Sequence, residues 1–125
     1  MTIAEAGEKY GLSTDTLRYY ERIGLIPPVS RTKGGIRNYS DIDCRWVEFI
    51  KCMRGAGLAV EVLIEYVSLF QKGESTRKTR KAILIDQREK LAVRIAELQG
   101  TLDRLDAKIA RYDTALLEAE KNLFP

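Results

Sequence analysis

TDTLRYYERIGLIPP, Thr14 to Pro28, places two tyrosines and two arginines in one short amphipathic segment that stops at a glycine and two prolines. Ser13 is a helix N-cap residue, and Leu17, Tyr20 and Ile23 recur at helical spacing, so a helix is expected from here to Gly24. Proline cannot continue that helix, so the chain must turn at Pro27-Pro28. Working back, Thr2 caps an earlier helix with Ile3, Ala6 and Tyr10 on one face, and Gly11 stops it. Helix, short glycine turn, helix is the outline of a helix-turn-helix, whose second helix enters the major groove of DNA. Arg18 leaves that helix on a different side from Leu17, so it can face a polyanion while Leu17 faces a core.

Working forward, LIPPVSRTKGGIRNYS reads as a small β wing. Gly34-Gly35 suits a tight hairpin turn, Ile36 to Tyr39 alternate like a short strand, and Arg31, Lys33 and Arg37 supply positive charge. Ser40 with Asp43 forms a capping box, with Asp in the usual place of Glu, and opens a third helix, DIDCRWVEFIKCMR, which Gly55 and Gly57 end. A fourth helix is expected from Leu58 to Phe70, with Leu58, Val62, Tyr66 and Leu69 on one face, closed by Lys72-Gly73. From Ser75 to about Asn122 there is no proline and a single glycine, Gly100. In this stretch Leu91, Ile95, Leu98, Leu102, Leu105, Ile109, Tyr112 and Leu116 alternate at spacings of four and three, the pattern of a coiled-coil seam. Such a helix is about 70 Å long at 1.5 Å per residue. Its stripe is too long to bury against a domain of some seventy residues, and the simplest partner is a second copy of the chain. Residues 1–71 are thus expected as a DNA-binding domain and 72–125 as a dimerisation helix with a short tail.

The 125 residues carry a net charge of +3, which is modest, but its distribution is uneven. Five basic and two acidic residues lie between Ser13 and Arg37, and seven basic and three acidic between Lys72 and Lys90. Two basic stretches suit phosphate contact, and they also suit two solvated faces. There is no long apolar run to span a membrane, and the N-terminal segment is mixed in charge, unlike a signal peptide, so a cytosolic protein is expected. Cys44 and Cys52 stand eight positions apart in one helix, about 12 Å, too far for an internal disulfide. With no histidine and two cysteines, a four-ligand zinc site cannot be built. No Gly-rich phosphate loop or paired catalytic carboxylates stand out, so neither an enzyme nor a cofactor is expected.

Taken in order, TLRYYERIGLIPP, then RTKGGIRNY, then DIDCRWVEFIKCMRGAGL and the coiled coil resemble the MerR family of bacterial transcription regulators along essentially the whole chain. The resemblance implies a mainly α fold: a winged helix-turn-helix, a second helix pair and a long helix that pairs antiparallel with its mate. It implies a homodimer on double-stranded promoter DNA that bends and untwists an over-long spacer so that RNA polymerase engages both promoter elements. Carried over by position, Arg18 faces the major groove with Thr16 beside it. Tyr19 and Tyr20 offer hydroxyls to phosphates, Tyr20 partly from the core. Arg37 and Tyr39 grip the DNA backbone from the wing, helped by Arg31 and Lys33. The N-terminus looks complete, and the chain ends just after the coiled coil, so the large domain of multidrug-binding members is not expected. Metal-sensing members carry cysteines at the ends of the long helix, and none follows Cys52 here. FIKCMRGAGL resembles instead the thiol-based branch that responds to aldehydes and nitrosative stress, in which a single cysteine sits at the position of Cys52. Lys51, Arg54 and Arg45 would favour its thiolate, whereas Cys44 is expected to pack in the core. A coiled-coil adaptor, or an architectural DNA-binding protein without effector response, remains the alternative.

Overall fold

In the computed structural model, which describes residues 1–123, the chain runs through five α-helices and one short 3-10 turn. The helices are α1 (Ile3–Tyr10), α2 (Thr14–Ile23), α3 (Asp41–Gly55), α4 (Val60–Gln71) and α5 (Arg77–Leu123). Two compact units result, residues 1–87 and residues 88 onward.

The caps fall where the sequence places them. The Thr2 hydroxyl accepts from the Glu5 backbone N–H, and the Glu5 carboxylate accepts from Thr2 N–H in return. Ser13 Oγ accepts from Thr16 N–H at 3.0 Å. Ser40 and Asp43 close the expected capping box of α3. Asp43 is 8% exposed, and burial alone would push its pKa up. The backbone N–H groups of Ser40 and Ser30, at 2.9 and 3.1 Å, and the two serine hydroxyls outweigh burial and hold the carboxyl below its ordinary value. Gly11 and Gly24 end α1 and α2 in the left-handed conformation, at φ 64° and 83°. Gly7 was not singled out by the sequence. A Cβ there would lie 2.6 Å from the Leu12 carbonyl oxygen, so this close α1–α2 turn requires glycine.

The first unit is built on one core. Ala6 from α1, Leu17 and Tyr20 from α2, Leu25, Ile26, Val29 and Tyr39 from the connecting segment, and Cys44, Val47 and Ile50 from α3 pack together, joined by Leu58 and Leu63. Two details differ from expectation. The fourth helix starts at Val60, not Leu58, because Gly57 turns at φ 87° and Leu58 N–H bonds back to the Met53 carbonyl. The helical register counted from Leu58 is therefore lost: Leu63 and Val67 are the fully buried residues of α4, while Val62, Tyr66 and Leu69 are half-buried. The wing forms no strand among the described residues. It is held by an isolated antiparallel bridge between Arg31 and Arg37 and by the turn bonds Thr32 N–H to Ile36 O and Gly35 N–H to Thr32 O, at 2.8 and 2.9 Å.

The second unit is the remainder of α5. Along it Ile95, Leu98, Leu102, Leu105, Ile109 and Tyr112 are each at least half exposed, and Leu91 is half-buried. The side chain of Leu116 lies outside the described residues, as do the last two residues of the chain. No helix among the described residues is long and apolar enough to cross a membrane.

Candidate nucleic-acid interface

The outward face of α2 and the wing beside it carry four of the eight residues expected to meet DNA, Arg18, Tyr19, Arg31 and Lys33. Arg18 is exposed, and its Nη1 donates to the Asp15 carboxylate at 3.1 Å; Asp15 is itself 94% exposed. An exposed i,i+3 pair contributes little to stability and exchanges readily for another anion. Tyr19 is 41% exposed, and the Arg22 guanidinium lies 5.6 Å from its ring centroid. Lys33 and Arg31 are exposed on the wing, where Arg31 Nη1 donates to the Gly35 carbonyl.

Four expected contacts sit differently. The Thr16 hydroxyl is engaged with Ser13 Oγ at 2.8 Å, so it serves the cap. Tyr20 is only 7% exposed and belongs to the core. Tyr39 requires a correction: it is 2% exposed, and its hydroxyl is enclosed with no hydrogen-bond partner. Burial pushes the Tyr39 phenol above its ordinary pKa, with the Arg37 cation opposing. That the ring is turned into the core is invisible in a string of alternating residues. Arg37, in turn, is not free. Its Nε–H donates to Glu21 Oε1 at 2.6 Å, and its side chain is 26% exposed.

Glu21 is the residue that sequence reading missed. Its side chain is 11% exposed. Its second oxygen accepts from Val29 N–H at 2.8 Å, and Arg31 Nη2 lies 4.0 Å from the first. The available signal was one of only two acids, Asp15 and Glu21, in a stretch otherwise dominated by basic residues.

The two cysteines separate as their positions suggested, Cys44 buried and Cys52 exposed, both as free thiols. The neighbouring cations are occupied: Arg54 donates to the Leu58 carbonyl at 2.6 Å, and Lys51 Nζ donates to the Tyr10 carbonyl. The latter contact ties α3, beside Cys52, to the last residue of α1. Ile42, Arg45, Trp46 and Phe49 of α3 face Tyr66 and Phe70 of α4 across an open apolar cleft of about 270 Å³. The Trp46 ring packs on Phe70 at 4.9 Å between centroids.

Comparison with known proteins agrees with this arrangement. Residues 1–69 match the family model described as MerR HTH family regulatory protein, and residues 44–108 match that described as MerR, DNA binding. The HTH-type transcriptional regulator AdhR of Bacillus subtilis is 56% identical over 91 residues, covering 73% of this chain and 65% of AdhR. The chain thus aligns with just under two thirds of that relative. An HTH-type transcriptional regulator of Haemophilus influenzae is 33% identical over 91% of this chain and 84% of its own length. Among solved structures, a MerR family transcriptional regulator from Listeria monocytogenes superimposes at a TM-score of 0.93 with 50% identity, covering 98% of this chain and 93% of its own. HiNmlR, a MerR family regulator lacking the sensor domain and solved bound to promoter DNA, superimposes at 0.83 with 33% identity, covering 91% and 90%.

Proposed function

The chain belongs to the MerR HTH family of regulatory proteins, and on that premise we propose that it acts as a dimeric transcriptional regulator on promoter DNA and answers aldehydes or other electrophiles through Cys52. The observation that carries the DNA reading is the pairing of an exposed Arg18–Tyr19–Arg22 face on α2 with an exposed basic wing, both seated on one core. HiNmlR, a relative of the same fold, holds promoter DNA in its solved structure. In this reading α2 enters the major groove, where Arg18 exchanges its solvated Asp15 for base edges or phosphates. Tyr19, Arg31 and Lys33 contact phosphates, which set position rather than sequence. Two copies joined along the apolar stripe of α5 present two α2 helices to a pseudo-palindrome. Bending and untwisting of an over-long spacer then brings both promoter elements to RNA polymerase.

The thiol reading rests on exposure and position. Cys52 is open to solvent, and the likeness to AdhR extends over most of this chain. Addition to an aldehyde forms a sulfur–carbon bond and opens the carbonyl π bond, and the thiol proton passes to the oxygen, giving a hemithioacetal without an oxidant. The added group stands next to Lys51, whose ammonium holds the Tyr10 carbonyl one residue before the Gly11 turn into α2. A shift of α3 at this point is transmitted to the reader helix through that hydrogen bond, a local change biasing a two-state element.

The test is transcription in vitro from the target promoter with and without formaldehyde or methylglyoxal, for the native chain, Cys52→Ala and Cys44→Ala. Induction is expected to vanish in Cys52→Ala alone, with duplex binding retained. A normal response from both variants would sink the thiol reading.

A further inference from the structure

The wing has little to hold it in place. It has one isolated bridge, a handful of turn hydrogen bonds and no strand among the described residues, and a lone two-stranded ribbon is marginal in water. A single carboxylate compensates. Glu21 stands near the end of α2, and one oxygen takes Val29 N–H, just past the Pro27-Pro28 turn. The other takes Arg37 Nε–H, with Arg31 4.0 Å away. Arg31 and Arg37 face each other across the bridge, so this acid reaches both legs of the wing and the segment that leads into it. Its 11% exposure places it under the interface rather than on it. A glutamine cannot replace it, because an amide offers one acceptor oxygen for two donors and turns an N–H₂ toward the other. The half-buried Arg37 would then lose its counter-charge.

We infer that Glu21 is a positioning residue for DNA binding: acting through Arg37, it sets the wing at a fixed angle to α2 so that Lys33 meets a phosphate while α2 lies in the major groove. This deepens the proposed DNA reading and rests on it. Charge alone predicts the opposite sign. Removing an acid from a surface that faces a polyanion strengthens binding, whereas removing a strut weakens it.

The experiment measures duplex binding against salt for the full-length chain, Glu21→Gln, Lys33→Ala and the double variant, using promoter DNA that the native chain binds specifically. Glu21→Gln is expected to weaken specific binding about tenfold, with a salt slope shallower by roughly one. Lys33→Ala is expected to do the same in the native background and to add little in the Glu21→Gln background, the coupling of residues that act as one unit. Circular dichroism should show the helices of Glu21→Gln intact, and a purely structural loss would leave the Lys33 effect undiminished. Tighter binding by Glu21→Gln, or fully additive losses, would overturn the inference while leaving the DNA reading in place. If the native chain bound no duplex at low salt, both would fall together.

Discussion

Tyr39 and Glu21 exchange the roles that a linear reading of their neighbourhoods suggests. A tyrosine in a basic wing looks like a phosphate contact, yet its ring fills the core and its hydroxyl is stranded there. An enclosed, unpaired hydroxyl costs about 1–3 kcal/mol. Tyr39→Phe should therefore leave stability unchanged or raise it by about 1 kcal/mol in denaturant unfolding, with duplex affinity and its salt slope unaltered. Reduced affinity would mean that the hydroxyl reaches the DNA backbone in the bound state. Glu21, by contrast, has the wrong sign for a DNA contact and the right one for the arginines that lie above it. The caps were legible because they depend on residues three apart: Ser13 with Thr16, Ser40 with Asp43. Glu21 meets Arg37 sixteen residues away, a distance at which spacing carries no geometric information.

At the level of elements, the helices followed from periodicity and their ends from glycine, with α4 as the instructive departure. Leu58 is apolar and buried, so it joined the predicted stripe, but it packs from a turn and not from the helix. The heptads expected along the long helix predict a substitution. Gly100 lies midway between the seam positions Leu98 and Leu102, on the outer face, and a Cβ there meets nothing within 4 Å. Glycine inside a helix costs about 0.5–1 kcal/mol relative to alanine. Gly100→Ala should stabilise α5 by that amount, read as a higher melting temperature with DNA binding unchanged. A lower one would place a close neighbour at that face in the assembled protein.

For the whole molecule the governing fact is the row of apolar side chains left exposed along α5. A soluble monomer does not ordinarily keep so long a stripe uncovered, which supports the dimer of the proposed function. The melting temperature should then rise with protein concentration, and sedimentation should give two chains per particle. Leu102→Ala should cost about 2–5 kcal/mol per copy and weaken duplex binding by uncoupling the two reader helices. Melting that ignores concentration would point to a different partner for the stripe.

The sequence by itself determined the local features: five helices, their caps, the glycine stops, the basic character of α2 and the wing, and the apolar stripe of α5. Each depends on residues within a turn or two of one another, or on a repeat. Tertiary structure decided which polar groups remain available. It turned Tyr39 inward and placed Arg37 on Glu21. Those outcomes depend on which surfaces meet when α1, α2, α3 and the wing close over one core, and burial and pairing between distant segments are properties of that closure.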